Sequence, residues 1–317
     1  MTVGLALRWL KDTLKDTDAD RAEPYWLICH ILECGRSELD LSYTFSDAQY
    51  LEMMRIVESR KLGKALDCIL GYSEFYGNRY VINEHVLVPR MDTESVCEKA
   101  IQIIKSYDRP VNVLDLCTGS GCIACTIATN VDNIGLLVAS DISAEALKVA
   151  ELNLQNIIGD KCKWRAVQSD MFSAFARGEI SKDISNNSVS KDISDRDALN
   201  NFSNALGDIK FDLIISNPPY IAEYERGELS REVLNQPHIA LFGGDDGMDF
   251  YRVIADRARD FLNDGGALIL EIGSSQGSDV SEILKNNGYS DVQVFKDLSG
   301  LDRGVVSILN SQFSILN

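Results

Sequence analysis

The chain has 317 residues, longer than most single domains, and 45% of them are apolar, which favours two packed domains. It carries 31 Lys and Arg against 48 Asp and Glu, a formal net charge of -17. This acidic balance repels phosphate backbones and disfavours bulk nucleic-acid binding. The apolar stretch near residue 1 is short and flanked by charges, so we expect no membrane span and a soluble, cytoplasmic protein.

The first 74 residues carry the periodicity of amphipathic helices. Apolar residues recur at helical spacing in residues 18–36, and Gly35 can end that helix. A second helix is predicted to begin at the capping-box pair Ser46 and Gln49 and to bury its methionine and aromatic face. Residues 1–74 are therefore predicted to form an all-helical domain, and the alternating pattern that follows predicts a hairpin connector over 75–92.

From residue 93 onward the pattern changes to strands alternating with helices. The predicted strands are "VNVLDLC", "GLLVASD", "KWRAVQSD", "FDLIISN", "GALILEIG" and "RGVVSIL". This alternation predicts an α/β, Rossmann-like domain with a largely parallel sheet, in which ligands bind at the carboxyl ends of the strands. Residues 176–208 are rich in Ser, Asn and Asp and repeat "SKDIS", so we expect a disordered insertion there.

The eight cysteines lack the dense spacing of a secreted disulfide scaffold, so we expect reduced thiols. Cys122 and Cys125 have metal-like spacing, but neither a second pair nor a nearby histidine completes a site. We therefore expect no metal and interpret this pair as buried on one helix face. The oligomeric state is open from the sequence, and we expect a monomer.

The stretch "VLDLCTGSGCIA" predicts a strand that runs through a glycine-containing loop into a helix. The loop consists of Cys117, Thr118, Gly119, Ser120 and Gly121. Such a loop lets the backbone approach a ligand at a helix N-terminus, although strand-to-helix turns also use glycine for purely steric reasons. An acidic residue twenty positions after Gly121, Asp141, ends the next strand and can bind ribose hydroxyls. Together they indicate a nucleoside-bearing cofactor.

The loop lacks the three glycines of a dinucleotide site, and this suits a ligand without a pyrophosphate, such as S-adenosylmethionine. A third strand end supplies Asp170, which we assign to an adenine amino group. Met171 and Phe172 follow it and are assigned to the adenine face. Apolar residues at a strand end are also common in protein cores.

The fourth strand ends in "NPPY" at residues 217–220. Asn217 offers a side-chain carbonyl, and Pro218 offers a backbone carbonyl without an N–H, so the turn presents two acceptors that match a planar NH2 group. Tyr220 supplies a face on which a flat amide or base can stack. A strand-ending Asn-Pro turn without function is the competing interpretation.

These motifs resemble, in order and over nearly the whole chain, the HemK/PrmC family of protein-(glutamine-N5) methyltransferases that act on peptide-chain release factors. The segments that carry the resemblance are "RAEPYWLICHILECGRSEL", "SRKLGKALDCILGYSEFYGNRY", "VLVPRMDTE", "DLCTGSGCIA", "NPPYIAE", "HIALFGGDDGMDFYRVI" and "DLSGLDRGVV". The resemblance implies a class I S-adenosylmethionine-dependent methyltransferase domain at 93–317, with residues 1–74 docking the release factor.

It also implies that a glutamine in a Gly-Gly-Gln loop receives the methyl group. Asn217 and Pro218 would be the catalytic residues, Pro219, Tyr220, Pro89 and Arg90 would contact the glutamine, and Asn217 would also border the cofactor. Two positions depart from the family pattern, which usually has glycine at Cys117 and proline at Met91. We expect cofactor binding to survive if the φ of Cys117 is negative.

Two alternatives remain open. An adenine-N6 DNA methyltransferase needs the same two acceptors for a flipped base, but it also needs a basic face for the duplex. Residues 1–78 hold 9 basic and 13 acidic residues, net -4. A cofactor-binding regulatory module without catalysis is the other alternative, and Asn217 argues against it.

Overall fold

The computed structural model describes residues 1–17, 19–175 and 209–309. The predicted insertion at 176–208 lies outside these ranges. None of the helices in the described ranges has the length and apolar character needed to cross a bilayer.

The N-terminal part is helical, as predicted. Its helices are α1 (Val3–Thr13), α2 (Glu23–Leu32), α3 (Asp47–Lys61) and α4 (Leu66–Leu70). The predicted capping box is present. The Ser46 hydroxyl accepts a hydrogen bond from the backbone N–H of Gln49, and the Gln49 side-chain oxygen accepts one from the backbone N–H of Ser46. α2 ends before Gly35, at Glu33, which adopts a φ of 52°.

The four helices share one apolar core, although the predicted stripe on α3 is shifted. Met53 and Val57 are fully buried, whereas Tyr50 is 37% exposed and Ile56 is buried in its place. A helix has 3.6 residues per turn, so residues 53, 56, 57 and 60 form one narrow face. Arg60 lies on this face and forms an ion pair with Glu23 of α2 at 2.6 Å.

A hairpin follows, with strands β1 (Tyr72–Phe75) and β2 (Asn78–Val81) paired in antiparallel register. The sequence placed the connector at 75–92, and the first hairpin strand begins slightly earlier. The division into domains at residues 74 and 92 stays a prediction.

The rest of the described chain forms one seven-stranded sheet. Its strands are β3 (Val111–Leu116), β4 (Ile134–Asp141), β5 (Trp164–Gln168), β6 (Phe211–Ser216), β7 (Leu262–Glu271), β8 (Tyr289–Lys296) and β9 (Asp302–Leu309), in the spatial order β5-β4-β3-β6-β7-β9-β8. The five strands β5, β4, β3, β6 and β7 are parallel, and β9 runs antiparallel to β7 and to β8. The sequence pattern missed β8, whose side chains are mostly exposed at the sheet edge.

Helices cover both faces of this sheet. They are α5 (Glu94–Lys105), α6 (Cys122–Asn130), α7 (Ala144–Ile157), α9 (Asp249–Arg257) and α10 (Gly277–Asn286), and the short α8 (Arg231–Leu234) lies against the helical part instead. One buried cluster joins α5, α6 and α7 to the first face, and a second joins α9 and α10 to the other. The strand order reverses between β3 and β6, and at such a point the carboxyl ends of the strands open into a crevice.

Candidate active site

A cavity of about 210 Å³ lies at the carboxyl ends of β3, β4, β5 and β6. It collects predicted site residues from sequence positions far apart, and these are Pro89, Arg90, Cys117, Thr118, Gly119, Ser120, Asp141, Asp170, Met171, Asn217 and Pro219. Four predicted residues, Gly121, Phe172, Pro218 and Tyr220, are not part of its wall. The functional roles of all these residues stay predictions.

The loop after β3 is organised by Asp115, which is fully buried. Its Oδ2 accepts from the Thr118 hydroxyl at 2.6 Å and from the backbone N–H of Ala124 at 3.1 Å. Burial raises the pKa of Asp115 to about 7, above its ordinary 3.8. Its other oxygen, Oδ1, is buried without a hydrogen-bond partner among the described residues. The loop is therefore tied to the buried end of β3 through this carboxyl group.

Cys117 has a φ of +60°, so the condition on which we expected the loop to tolerate it is not met. A side chain in this left-handed region costs roughly 1–2 kcal/mol relative to glycine. Burial raises the pKa of its thiol to about 12, and the Ser216 side chain opposes this by hydrogen bonding. The loop thus keeps the shape that suits glycine, with strain at this residue.

The two glycines of the loop serve different purposes. Gly119 has a φ of +54° with open space where its Cβ would lie, and it borders the cavity. Gly121 has a φ of +78°, and a Cβ there would lie 3.3 Å from Ala150 of α7. Gly121 therefore permits α6 and α7 to pack closely, and its contact with the cofactor stays a prediction.

Asp141, the last residue of β4, is held by backbone donors. Its Oδ2 accepts from Gly119 N at 2.9 Å, and its Oδ1 accepts from Ser143 N at 2.9 Å. Burial raises the pKa of this carboxyl, and these backbone hydrogen bonds oppose the change. A carboxylate has about four acceptor sites, so capacity remains for hydroxyl donors in the cavity.

The end of β5 separates the three residues assigned to adenine. Asp170 and Met171 line the cavity. Phe172 is 2% exposed and stacks on Phe261, with ring centroids 5.0 Å apart and an interplanar angle of 2°. Phe172 is thus packed in the core, and its assignment to the adenine face stays a prediction. A buried aromatic at a strand end looks the same in sequence whether it faces ligand or core.

The NPPY turn follows β6, whose six residues are all buried. The Ser216 hydroxyl donates to the Leu116 carbonyl at 2.6 Å and joins the ends of β6 and β3. Asn217 and Pro219 then border the cavity, whereas Tyr220 is half-buried against the second core cluster. Burial raises the pKa of Tyr220 above its ordinary value.

Two glycines of "LFGGDDG" support the turn from behind. A Cβ on Gly243 would lie 2.6 Å from the Pro219 carbonyl oxygen, and one on Gly247 would lie 2.4 Å from that of Tyr220. The same turn is fixed by the Gln276 amide, which donates to the Tyr220 carbonyl at 2.9 Å. The sequence alone assigns no role to this segment, and its glycine density is the available signal.

Other residues of the cavity wall had no sequence signal of their own. They are Thr93, Ile142, Ser143, Ala146, Ile239, Ala240 and Phe250 among others. In the described ranges no group of three or more His, Cys, Asp and Glu is arranged to hold a metal ion. Cys122 and Cys125 are free, buried residues of α6.

The chemistry of the wall fits a nucleoside cofactor that carries an amino-acid group. Gly119 provides open space beside the backbone, and Asp141 provides acceptors at the second strand end. Aliphatic side chains such as Ile142 complete the wall. This combination of acceptors and apolar surface is typical of sites for small organic cofactors.

Comparison with known proteins identifies the family. Residues 6–71 match the PrmC N-terminal domain, residues 83–181 match the ubiE/COQ5 methyltransferase family, and residues 136–277 match the Eco57I restriction-modification methylase. Over 295 residues the chain is 32% identical to a release factor glutamine methyltransferase of Koribacter versatilis, covering 92% of each protein. The chain belongs to this family. The predicted Rossmann-like fold of class I S-adenosylmethionine-dependent methyltransferases, with an N-terminal helical part, is thereby confirmed together with the family.

Other relatives are longer than this chain. It is 32% identical over 285 residues to a bifunctional methyltransferase of Rickettsia typhi, covering 84% of this chain and 48% of that relative. The chain thus spans about half the length of such bifunctional relatives. A solved methyltransferase of Pyrococcus furiosus superposes with a TM-score of 0.45 at 18% identity, covering 84% of this chain and 100% of that one.

Proposed function

We propose that the protein transfers a methyl group from S-adenosylmethionine to the side-chain amide nitrogen of the glutamine in the Gly-Gly-Gln motif of peptide-chain release factors. The observation that carries this proposal is Asn217, an amide acceptor on the same cavity wall as Gly119 and Asp141. Membership of the family supports the choice of glutamine over other amines. A cytoplasmic location follows from the proposed substrate.

The cofactor would be held by the loop 117–120, by Asp141 at the ribose and by Asp170 at the adenine. When bound, S-adenosylmethionine supplies an electrophilic methyl group on a sulfonium sulfur. Asp141 is well suited to the ribose, because its two backbone hydrogen bonds fix the carboxylate and leave acceptor sites for hydroxyl groups. Met171 lies beside Asp170 on the wall and offers an apolar surface for the base.

The glutamine amide would be bound by Asn217 Oδ1 and the Pro218 carbonyl, each of which accepts one of its two N–H hydrogens. An amide nitrogen is a weak nucleophile because its lone pair is delocalised into the carbonyl group. Two acceptors hold the nitrogen in the attacking orientation and stabilise the positive charge that develops on it. As the nitrogen–carbon bond forms and the carbon–sulfur bond breaks, one N–H proton leaves to water, so the methylated amide is neutral. Tyr220 would border the flat amide, and Pro89 and Arg90 would form the opposite wall of the channel.

The helical part would dock the folded release factor. α8 lies between this part and the cavity, because Glu232 of α8 pairs with Arg60 of α3 at 3.0 Å and Asn235 donates to the Gly63 carbonyl at 3.2 Å. The Gln236 side chain accepts from Val88 N at 3.0 Å, just before Pro89. These contacts connect the proposed docking part to the proposed glutamine channel.

The test uses methyl-labelled S-adenosylmethionine with three separate substrates: a release factor, its variant with the Gly-Gly-Gln glutamine replaced, and duplex DNA that contains adenine. We expect label in the unmodified release factor alone, at that glutamine. Label in DNA and not in the release factor would overturn the assignment in favour of adenine methylation of DNA.

A further inference from the structure

Glu271 is a buried carboxyl group beside the NPPY turn. It ends β7, which pairs with β6 in parallel so that Ser216 lies opposite Leu270, and continuing this register brings Asn217 beside Glu271. Glu271 is 1% exposed, and its Oε2 has no partner of regular hydrogen-bond geometry among the described residues. Burial raises the pKa of Glu271, and hydrogen bonding from the side chains of Thr93 and Asn217 opposes this rise.

An asparagine amide has two chemically different ends, and binding of a substrate NH2 group requires that the oxygen face the cavity. The backbone position of Asn217 does not by itself distinguish the two ends of the amide, which have the same shape. A carboxylate on the inner side does determine it, because a carboxylate accepts hydrogen bonds and Nδ2 is the only donor of the amide. A protonated carboxyl group can donate to Oδ1 instead and reverse the amide.

We propose that Glu271, in its carboxylate form, is a positioning residue that accepts from Asn217 Nδ2 and holds Asn217 Oδ1 toward the substrate amide. This inference rests on the proposed function for the identity of the substrate. The orientation of Asn217 is a property of the protein alone. It can therefore be tested with or without turnover.

Several charged and titratable groups surround Glu271. Arg303 of β9 lowers its pKa and Asp92, before α5, raises it, but burial is the largest influence and brings the pKa to about 7. Arg303 is itself bound to Asp92 at 3.2 Å and to Asp297 at 3.1 Å, so its charge is largely engaged elsewhere. The remaining titratable neighbours are Tyr220, Tyr251 of α9, Cys97 of α5 and Cys122 of α6.

The burial of Glu271 is costly, which argues against a purely structural role. A buried carboxylate with an unpaired oxygen is destabilising, and glutamine has the same shape without the charge. Perturbed carboxyl groups of this kind occur most often at functional sites. Here the perturbed group lies beside the residue proposed to bind the reacting amide.

The kinetic test compares the wild-type protein with E271Q, which removes the charge and keeps the shape. In the wild type, kcat for release-factor methylation should fall about tenfold per pH unit below about pH 7. In E271Q, kcat at pH 8 should fall by about 10–100-fold and lose this acid limb, because glutamine can bind either end of the amide. KM and cofactor affinity should stay within a few-fold of wild type.

Two further variants separate positioning from packing. E271D retains a carboxylate, so its kcat should lie between those of E271Q and the wild type. Its kcat should also fall at low pH, as in the wild type. D92N removes a negative charge that raises the pKa of Glu271, so its acid limb should move to lower pH while the plateau is kept. A structural role for Glu271 predicts neither result. Wild-type kcat and pH profile in E271Q would overturn the proposal.

A substrate-free measurement separates this proposal from the proposed function. In protein labelled with 15N at asparagine, the Asn217 side-chain signal, assigned by its loss in N217A, should titrate near pH 7 in the wild type and not in E271Q. A signal that does not respond to pH in either protein would overturn the positioning role. Absence of release-factor methylation together with this titration would refute the substrate and leave the positioning role standing.

Discussion

A Cβ placed on Gly247 would lie 2.4 Å from the carbonyl oxygen of Tyr220, closer than Cβ atoms in proteins approach the atoms of other residues. Gly247 also has a φ of +75°, which favours glycine. The backbone of the NPPY turn therefore lies directly on the glycine segment, and its position depends on the absence of a side chain there.

Gly247→Ala should displace the turn and lower the free energy of unfolding by about 2–4 kcal/mol, since it combines left-handed strain with overpacking against backbone. Catalysis should suffer more than cofactor binding, because the displaced residues belong to the substrate side. Urea unfolding measures the stability, the rate of methyl transfer measures catalysis, and calorimetry measures the cofactor affinity.

Gly77→Ala is the matched control. Gly77 has the same φ of +75°, but no atom lies within 4 Å of its Cβ position. It should cost only the backbone strain, about 1–2 kcal/mol, and leave activity intact. Equal effects of the two substitutions on activity would contradict the close approach at Gly247.

Asn217→Ala should lower kcat by at least ~10²–10³-fold while cofactor affinity changes only a few-fold, because the lost acceptor acts mainly in the transition state. Pro218→Ala keeps the backbone carbonyl and should cost less. Initial rates and calorimetry test both. Unchanged turnover in Asn217→Ala would refute the role of this amide.

Cys117→Gly should relieve the strain at φ +60°, whereas Cys117→Ala removes the thiol and retains the strain. We expect the glycine variant to be more stable than the alanine variant by about 1 kcal/mol, despite the entropy of glycine in the unfolded chain. Both should bind cofactor within a few-fold of wild type. Urea unfolding that ranks alanine above glycine would argue against a left-handed Cys117.

Glu271 also predicts a pH dependence of stability. Its pKa is raised from 4.5 to about 7 in the folded protein. Below pH 4.5 the carboxyl group is protonated in both the folded and the unfolded chain, so it does not change the free energy of unfolding there. As the pH rises to about 7, the unfolded chain gains charge and the folded one does not, which lowers stability by about 3 kcal/mol. The advantage of E271Q over wild type in urea unfolding should grow by this amount between pH 4.5 and 8. If the free energies of unfolding of wild type and E271Q changed in parallel with pH, the raised pKa of Glu271 would be excluded.

The ion pair between Arg60 and Glu23 predicts a large effect on stability. Both side chains are at most 5% exposed, and the guanidinium binds the carboxylate through two hydrogen bonds of 2.6 and 2.9 Å. Arg60→Met leaves Glu23 buried without its partner and should cost about 3–5 kcal/mol. Arg55→Met, on the same helix, breaks an exposed pair with Glu52 and should cost about 0–1 kcal/mol. If urea unfolding showed similar losses of stability in the two variants, burial would not be what makes the Arg60 pair important.

The sequence by itself determined the features that depend on neighbours along the chain. Hydrophobic periodicity gave the helical part and the strands β3 to β7 and β9, because side chains on one face must be buried together. Local chemistry identified the capping box at Ser46, the loop 117–121 and the NPPY turn, and the order of these segments indicated the family. The edge strand β8 was missed because its exposed side chains carry little of the buried pattern.

The tertiary structure decided what depends on contacts between distant segments. Phe172 is a core residue because Phe261, far along the chain, stacks on it. Gly121 packs against Ala150, and Glu271 lies beside Asn217 because β7 pairs with β6. A pattern of residue types reports which side chains are buried, but not which partner covers them. That choice follows from strand order and register, which are set by the packing of the whole sheet.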